Sequence, residues 1–190
     1  MRLNCTLFTT ALILTVLNQT GMWQSYSFVL GIVHPLLGID HVLVMIAVGL
    51  WAVLVGGRAL WVFPLTFLTT MLAGFAAASF GLDVPFVEPV ILSSIVAVGL
   101  LVALAVKAPV WLGSVIIALI AFFHGHAHGT EAAAASLASY VIGFTLATAL
   151  LHAIGIALGI CAVGSIRQVA LRAMGGLSAL IGLALMVISR

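Results

Sequence analysis

Residues 28–55 read FVLGIVHPLLGIDHVLVMIAVGLWAVLV. The run carries one charged residue, Asp40, and exceeds the ~20 apolar residues that cross a bilayer as a helix. Further apolar segments follow at about 60–80, 88–106, 110–127, 134–162 and 170–189. The whole chain is 65% hydrophobic and 5% charged, where a soluble domain carries about 25% charged residues. So little polar surface cannot cover a core of this size. The sequence therefore predicts an all-α, polytopic transmembrane helix bundle, six helices after an N-terminal signal-like segment.

The same run contains its own interruption. In His34-Pro35-Leu36-Leu37-Gly38-Ile39-Asp40-His41, Pro35 disfavours helical geometry at His34, and Gly38 weakens the following turn. A straight helix would set His34 and His41 ~10.5 Å apart along its axis, too far to share one ion. A local break would bring His34, Asp40 and His41 together and free backbone carbonyls. Irregular backbone in a membrane is tolerated where it lines a cavity. Asp40 is a candidate ligand or a partner that fixes an imidazole by hydrogen bonding. The plain alternative is a proline kink with a buried Asp–His pair that only locks helices together.

Residues 1–20 open with Met1-Arg2 and a short apolar core. They read as a signal peptide or a short uncleaved first helix, because Val16-Leu17-Asn18 is a poor cleavage site. Residues 21–190 form the transmembrane domain. Gly56-Gly57-Arg58, Gly81-Leu82-Asp83-Val84-Pro85 and Lys107-Ala108-Pro109 punctuate its segments. Arg58, Lys107, Arg167 and Arg172 fall in alternate loops, and Asp83 and Glu88 in a loop without Lys or Arg. The positive-inside rule then makes the basic loops cytoplasmic and puts the acidic loop outside, in a multi-pass inner (plasma) membrane protein. Trp23, Trp51, Trp61 and Trp111 lie near segment ends, as interfacial anchors do. The segments divide as three plus three, an arrangement that would invert one half relative to the other.

Composition also excludes functions. A net charge of +2 without a basic stripe gives no nucleic-acid footprint. The only lysine, Lys107, precedes Ala108, so no Walker A loop exists and no ATP site is expected. Cys5 and Cys161 match no paired-cysteine motif. No nucleophile motif points to an intramembrane hydrolase, and the chain is read as a non-enzyme without a prosthetic group. The sequence leaves homo-oligomerisation open.

Six histidines remain, five of them in two clusters. Ionisable groups at membrane depth are costly and mark function, and neutral imidazole is the commonest transition-metal ligand. In the second cluster, His124-Gly125-His126-Ala127-His128-Gly129-Thr130-Glu131, His124, His128 and Glu131 share one helical face. Gly125 and Gly129 form a small-xxx-small pair for close helix approach. His126 points elsewhere on a regular helix and serves a second site unless the end unwinds. The plain alternative is an outer-loop cap with histidines among headgroups. His152 stands alone on an apolar helix and reads equally as packing or as a ligand. The candidate metal-binding residues are His34, Asp40, His41, His124, His126, His128, Glu131 and His152, and the expected partners are a divalent metal ion and the lipid bilayer.

His34-Pro35-x-x-Gly38-x-Asp40-His41, continuing through Val42-Leu43-Val44-Met45 to Val48-Gly49-Leu50-Trp51, resembles the first signature of the HupE/UreJ family. Phe123-His124-Gly125-x-Ala127-His128-Gly129-x-Glu131 resembles the second. The resemblance spans nearly the whole chain. It implies a secondary nickel or cobalt permease, or a membrane accessory protein for hydrogenase or urease maturation. The positions matching the motifs are His34, Asp40, His41, His124, His128 and Glu131. Two departures stand out. Asn18-Gln19-Thr20 replaces the histidine that many members carry after the signal segment, and His126 stands where tyrosine is frequent. The expected activity is uptake of Ni²⁺ or Co²⁺, passed along these side chains from the outer face toward the midplane. A haem protein with two axial histidines is a third reading, disfavoured by the accompanying carboxylates.

Overall fold

A computed structural model describes residues 21–132, 136–161 and 164–188. The expectation for residues 1–20 falls outside the described residues. These form seven helices: α1 (Met22–Leu37), α2 (Ile39–Val55), α3 (Ala59–Ser79), α4 (Val87–Ala103), α5 (Val110–Glu131), α6 (Leu137–Cys161) and α7 (Gly164–Ile188). No strand occurs among the described residues. Helices α3, α5, α6 and residues 168–188 of α7 are each long and apolar enough to cross a membrane. Helix α4, at 17 residues, is shorter.

The run 28–55 is not one helix. It forms α1 and α2, which meet at an 80° bend. The break falls at Gly38, whose backbone is extended (φ −82°, ψ 105°), while Pro35 stays inside the last turn of α1. Gly38 starts the new ladder, because its carbonyl accepts the Val42 N–H at 3.0 Å. Its conformation is open to any residue; what requires glycine is space. A Cβ there would lie 2.8 Å from Asp40 Oδ1 and 2.9 Å from His41 Nδ1. Leu37, at the elbow, is exposed.

The helices pair closely: α3 with α5, α4 with α7, and α6 with both α1 and α2. Lipid tails are as apolar as the side chains, so helix association in a bilayer depends on packing rather than on hydrophobic expulsion. Glycine supplies that packing. A Cβ on Gly125 would fall on the Met71 carbonyl, and one on Gly74 on the Phe122 carbonyl. The α6 helix approaches α1 through Gly31 and Gly143, and α2 through Gly49 and Gly155. Exchanging the two halves of the chain maps α3–α5 onto α6 with the α1–α2 elbow and returns α4–α7 to itself. That is the pairing pattern a two-fold relation between halves requires.

Around α2 the core is aromatic and aliphatic, with Trp51, Phe63, Phe67, Met71 and Ile117 fully buried. Trp51 is therefore not an interfacial anchor. Its indole N–H donates to the Val106 carbonyl at 2.9 Å, and its ring packs on Phe63. A buried indole needs an acceptor, and the α4–α5 connection provides one. Trp61 and Trp111 are exposed, as anchors would be.

This contact also orders the bundle's ends. The α4–α5 connection, the start of α7 (Arg172 Nε donates to the Ala103 carbonyl at 2.8 Å) and the start of α3 gather at the end of α2. Arg58, Lys107 and Arg172 thus share one end of the bundle, and the α1–α2 elbow, Glu131 and the α3–α4 connection lie toward the other.

Candidate metal centre

Helix α5 stays regular to Glu131, so His124, His128 and Glu131 form the stripe their spacing predicts. The α1–α2 elbow is set against that stripe. His34, at the end of α1, reaches the outermost member: its Nε2–H donates to Glu131 Oε2 at 2.9 Å. Both side chains are partly open, 35% and 50% exposed. Beneath this rim the imidazoles adjoin one another in series. Ring centroids are 5.1 Å apart for His34 and His128, 4.7 Å for His128 and His41, and 5.1 Å for His41 and His124. The 80° bend is what lets His34 and His41 both touch His128.

Two of these rings have their tautomers fixed by their neighbours. His41 Nδ1–H donates to Asp40 Oδ1 at 3.0 Å. His124 Nδ1–H donates to the Ile120 carbonyl, one turn back, also at 3.0 Å. Each ring therefore turns an Nε2 lone pair into the interior, and both Nε2 atoms are buried without a partner. A metal-bound histidine almost always uses its second nitrogen in this way, and the bond orients the ring and raises its basicity. His128 is buried with neither ring nitrogen partnered, stacked on Phe144 at 5.1 Å. Leaving a buried polar atom unpaired costs about 1–3 kcal/mol, and several occur within one cluster here. Asp40, in the first turn of α2, is well placed as an anion, since a helix N-terminus favours negative charge.

The remaining candidates lie apart. His126 faces away from the stripe, and its Nε2–H donates to the Leu82 carbonyl at 2.8 Å, pinning the α3–α4 connection. His152 is buried on α6, separated from the cluster by the Phe67 ring. That ring lies 5.7 Å from His124 and 4.8 Å from His152. Donor atoms that suit a divalent transition metal are thus present in series. Among the described residues, however, no three His, Cys, Asp or Glu side chains close as a ligand shell.

Reading the sequence by its charges overlooked one wall of this centre. Tyr140, Phe144, Thr148 and His152 are spaced every four residues along α6, and all four are buried. Tyr140 lies 6.1 Å from His34, and its hydroxyl is buried without a partner. The signal was available: one polar or aromatic residue per turn on a single face of a helix that is otherwise mostly aliphatic.

Comparison with known proteins agrees with the motifs. The chain matches the family described as HupE / UreJ protein over residues 7–185. It is 42% identical over 158 residues to Protein HupE of Rhizobium leguminosarum bv. viciae, covering 83% of each chain. No solved structure matches it. Two histidine signatures, the helical bundle that brings them face to face, and a family match along nearly the whole chain lead to one assignment: the protein belongs to the HupE/UreJ family.

Proposed function

We infer that this protein is a secondary permease that takes up Ni²⁺ or Co²⁺ across the plasma membrane. The observation that carries this reading is the row of buried imidazoles below the His34–Glu131 rim, with unpartnered Nε2 atoms on His41 and His124. In this reading the basic end of the bundle is cytoplasmic by the positive-inside rule, and the rim opens to the outer side.

The chemistry follows from spacing. Glu131 and His34 capture the hydrated cation and begin to replace its water. His128 receives it next, then His41 backed by Asp40, then His124. Neighbouring rings stand about 5 Å apart, so a cation leaving one donor already meets the next. A tight cage would hold the ion, whereas conduction needs weak, successive sites. Imidazole selects borderline metals such as nickel over magnesium or calcium, which prefer oxygen. Asp40 holds His41 in the ligating tautomer and supplies negative charge to an otherwise apolar interior. With no Walker A loop in the sequence, the driving force is the membrane potential, an ion gradient or a partner.

Purified protein in liposomes tests this. Ni²⁺ or Co²⁺ should accumulate inside under an inward-negative potential, and His41→Ala and His124→Ala should abolish accumulation. Binding without accumulation would instead assign the accessory role, and wild-type accumulation in both variants would refute the path.

A further inference from the structure

Helix α6 continues the polar stripe beyond the imidazole row. His152 is buried, and neither of its ring nitrogens has a hydrogen-bond partner. One turn away, Thr148 is fully buried and its hydroxyl points at the Met71 sulfur, Oγ1 to Sδ 3.7 Å. This orientation differs from that of three other described threonines. Thr69, Thr70 and Thr130 all turn their hydroxyls back onto carbonyls of their own helices, the default for threonine in a helix. Thr148 instead reaches across to α3. Met71 is held in place from the other side, where its backbone is in contact with Gly125 of α5. Phe67 and Met71 lie one turn apart on α3, as His152 and Thr148 do on α6. The two helices therefore meet in two rungs, Phe67 on His152 and Met71 on Thr148.

We propose that His152, Met71 and Thr148 form a second, inner metal-binding station, separated from the imidazole row by Phe67, that takes a borderline-soft divalent cation. The donors are an imidazole nitrogen, a thioether sulfur and a hydroxyl oxygen. Thioether and imidazole favour the later transition metals, while Mg²⁺ and Ca²⁺ require oxygen-rich shells. The outer rim, with its carboxylate, admits hard and borderline cations alike; the inner station discriminates between them. An ion seated there satisfies the His152 nitrogen that the fold otherwise leaves unpaired. The station rests on the uptake reading above and deepens it, adding at α3–α6 a second stage of metal selection to that of the imidazole row.

The test uses the purified full-length chain in detergent, with NiCl₂ as the probe. Equilibrium dialysis counts bound ions, and X-ray absorption at the nickel edge detects sulfur neighbours. The wild type should bind an outer and an inner ion, with a sulfur neighbour in the spectrum. Met71→Leu, a volume-conserving change that cores tolerate well, should remove the sulfur signal. His152→Gln should lower the stoichiometry by one ion, and excess MgCl₂ should leave the sulfur-bound nickel in place. Nickel bound without sulfur in the wild type overturns the inner station and leaves the uptake reading intact. A sulfur signal that survives Met71→Leu, an unchanged stoichiometry in His152→Gln, or displacement of that nickel by Mg²⁺ does the same. A wild type that binds no nickel overturns both.

Discussion

Replacing Gly38 by alanine isolates the link between backbone and site. The backbone there is extended and open to alanine, so the substitution does not strain the backbone. Its effect is steric. The new methyl carbon would stand 2.8 Å from Asp40 Oδ1 and 2.9 Å from His41 Nδ1, where ordinary contact begins at 3.4 Å. Each atom must retreat by about half an ångström, enough to carry their 3.0 Å contact out of hydrogen-bond range. His41 then loses the partner that fixes its tautomer. Loss of such a partner typically costs 10–100-fold in metal affinity, or roughly 1.4–2.7 kcal/mol. The assay is Ni²⁺ titration of purified Gly38→Ala, Asp40→Ala and the double variant, with thermal unfolding in parallel. If the methyl acts through the Asp40–His41 contact, the two losses share one cause and do not add. Gly38→Ala should melt no lower than Asp40→Ala, which removes the same contact. Wild-type affinity in Gly38→Ala, or fully additive losses in the double variant, refutes the reasoning.

Glu131→Gln should slow uptake at low metal concentration while changing stability by less than ~0.5 kcal/mol, because the His34–Glu131 pair is half open to solvent; a large drop in melting temperature would show a structural role instead. Uptake at fixed membrane potential should fall as the outer medium is acidified, since ligation needs deprotonated donors and protons compete with the metal for them; a rate unchanged down to the lowest pH at which the protein stays folded would contradict a path built on imidazole and carboxylate. Gly125→Ala should destabilise the bundle by ~1–3 kcal/mol, the usual cost of overpacking, because its Cβ falls on the Met71 carbonyl. Gly176→Ala, which meets open space, should be neutral or slightly stabilising, and equal melting temperatures for the two would refute the close-packing account.

Much of the site was legible because it is local. His124, His128 and Glu131 lie on one helix, and helical period alone places them on one face. The weakness near Gly38 was legible too, since glycine is a poor helix former in any context. The same logic misjudged Trp51. Its place near a segment end suggested an anchor, but the α4–α5 connection folds back over it and supplies a buried acceptor. The Tyr140–His152 stripe escaped because attention to charge passes over tyrosine and threonine.

By itself, the sequence determined that this protein is a bundle of membrane helices carrying two clusters of histidine and carboxylate, because length, apolarity and residue type act within each segment. Only the tertiary structure decided which helices face each other. His34 meets Glu131 across 97 positions of sequence, and His152 faces Phe67 across α3 and α6. In a membrane protein a polar stripe marks the face that is buried, but not which helix that face meets, since most of every helix surface is apolar. Backbone contact at glycines and the 80° turn at Gly38 select them, and they make one row of donors out of two distant clusters.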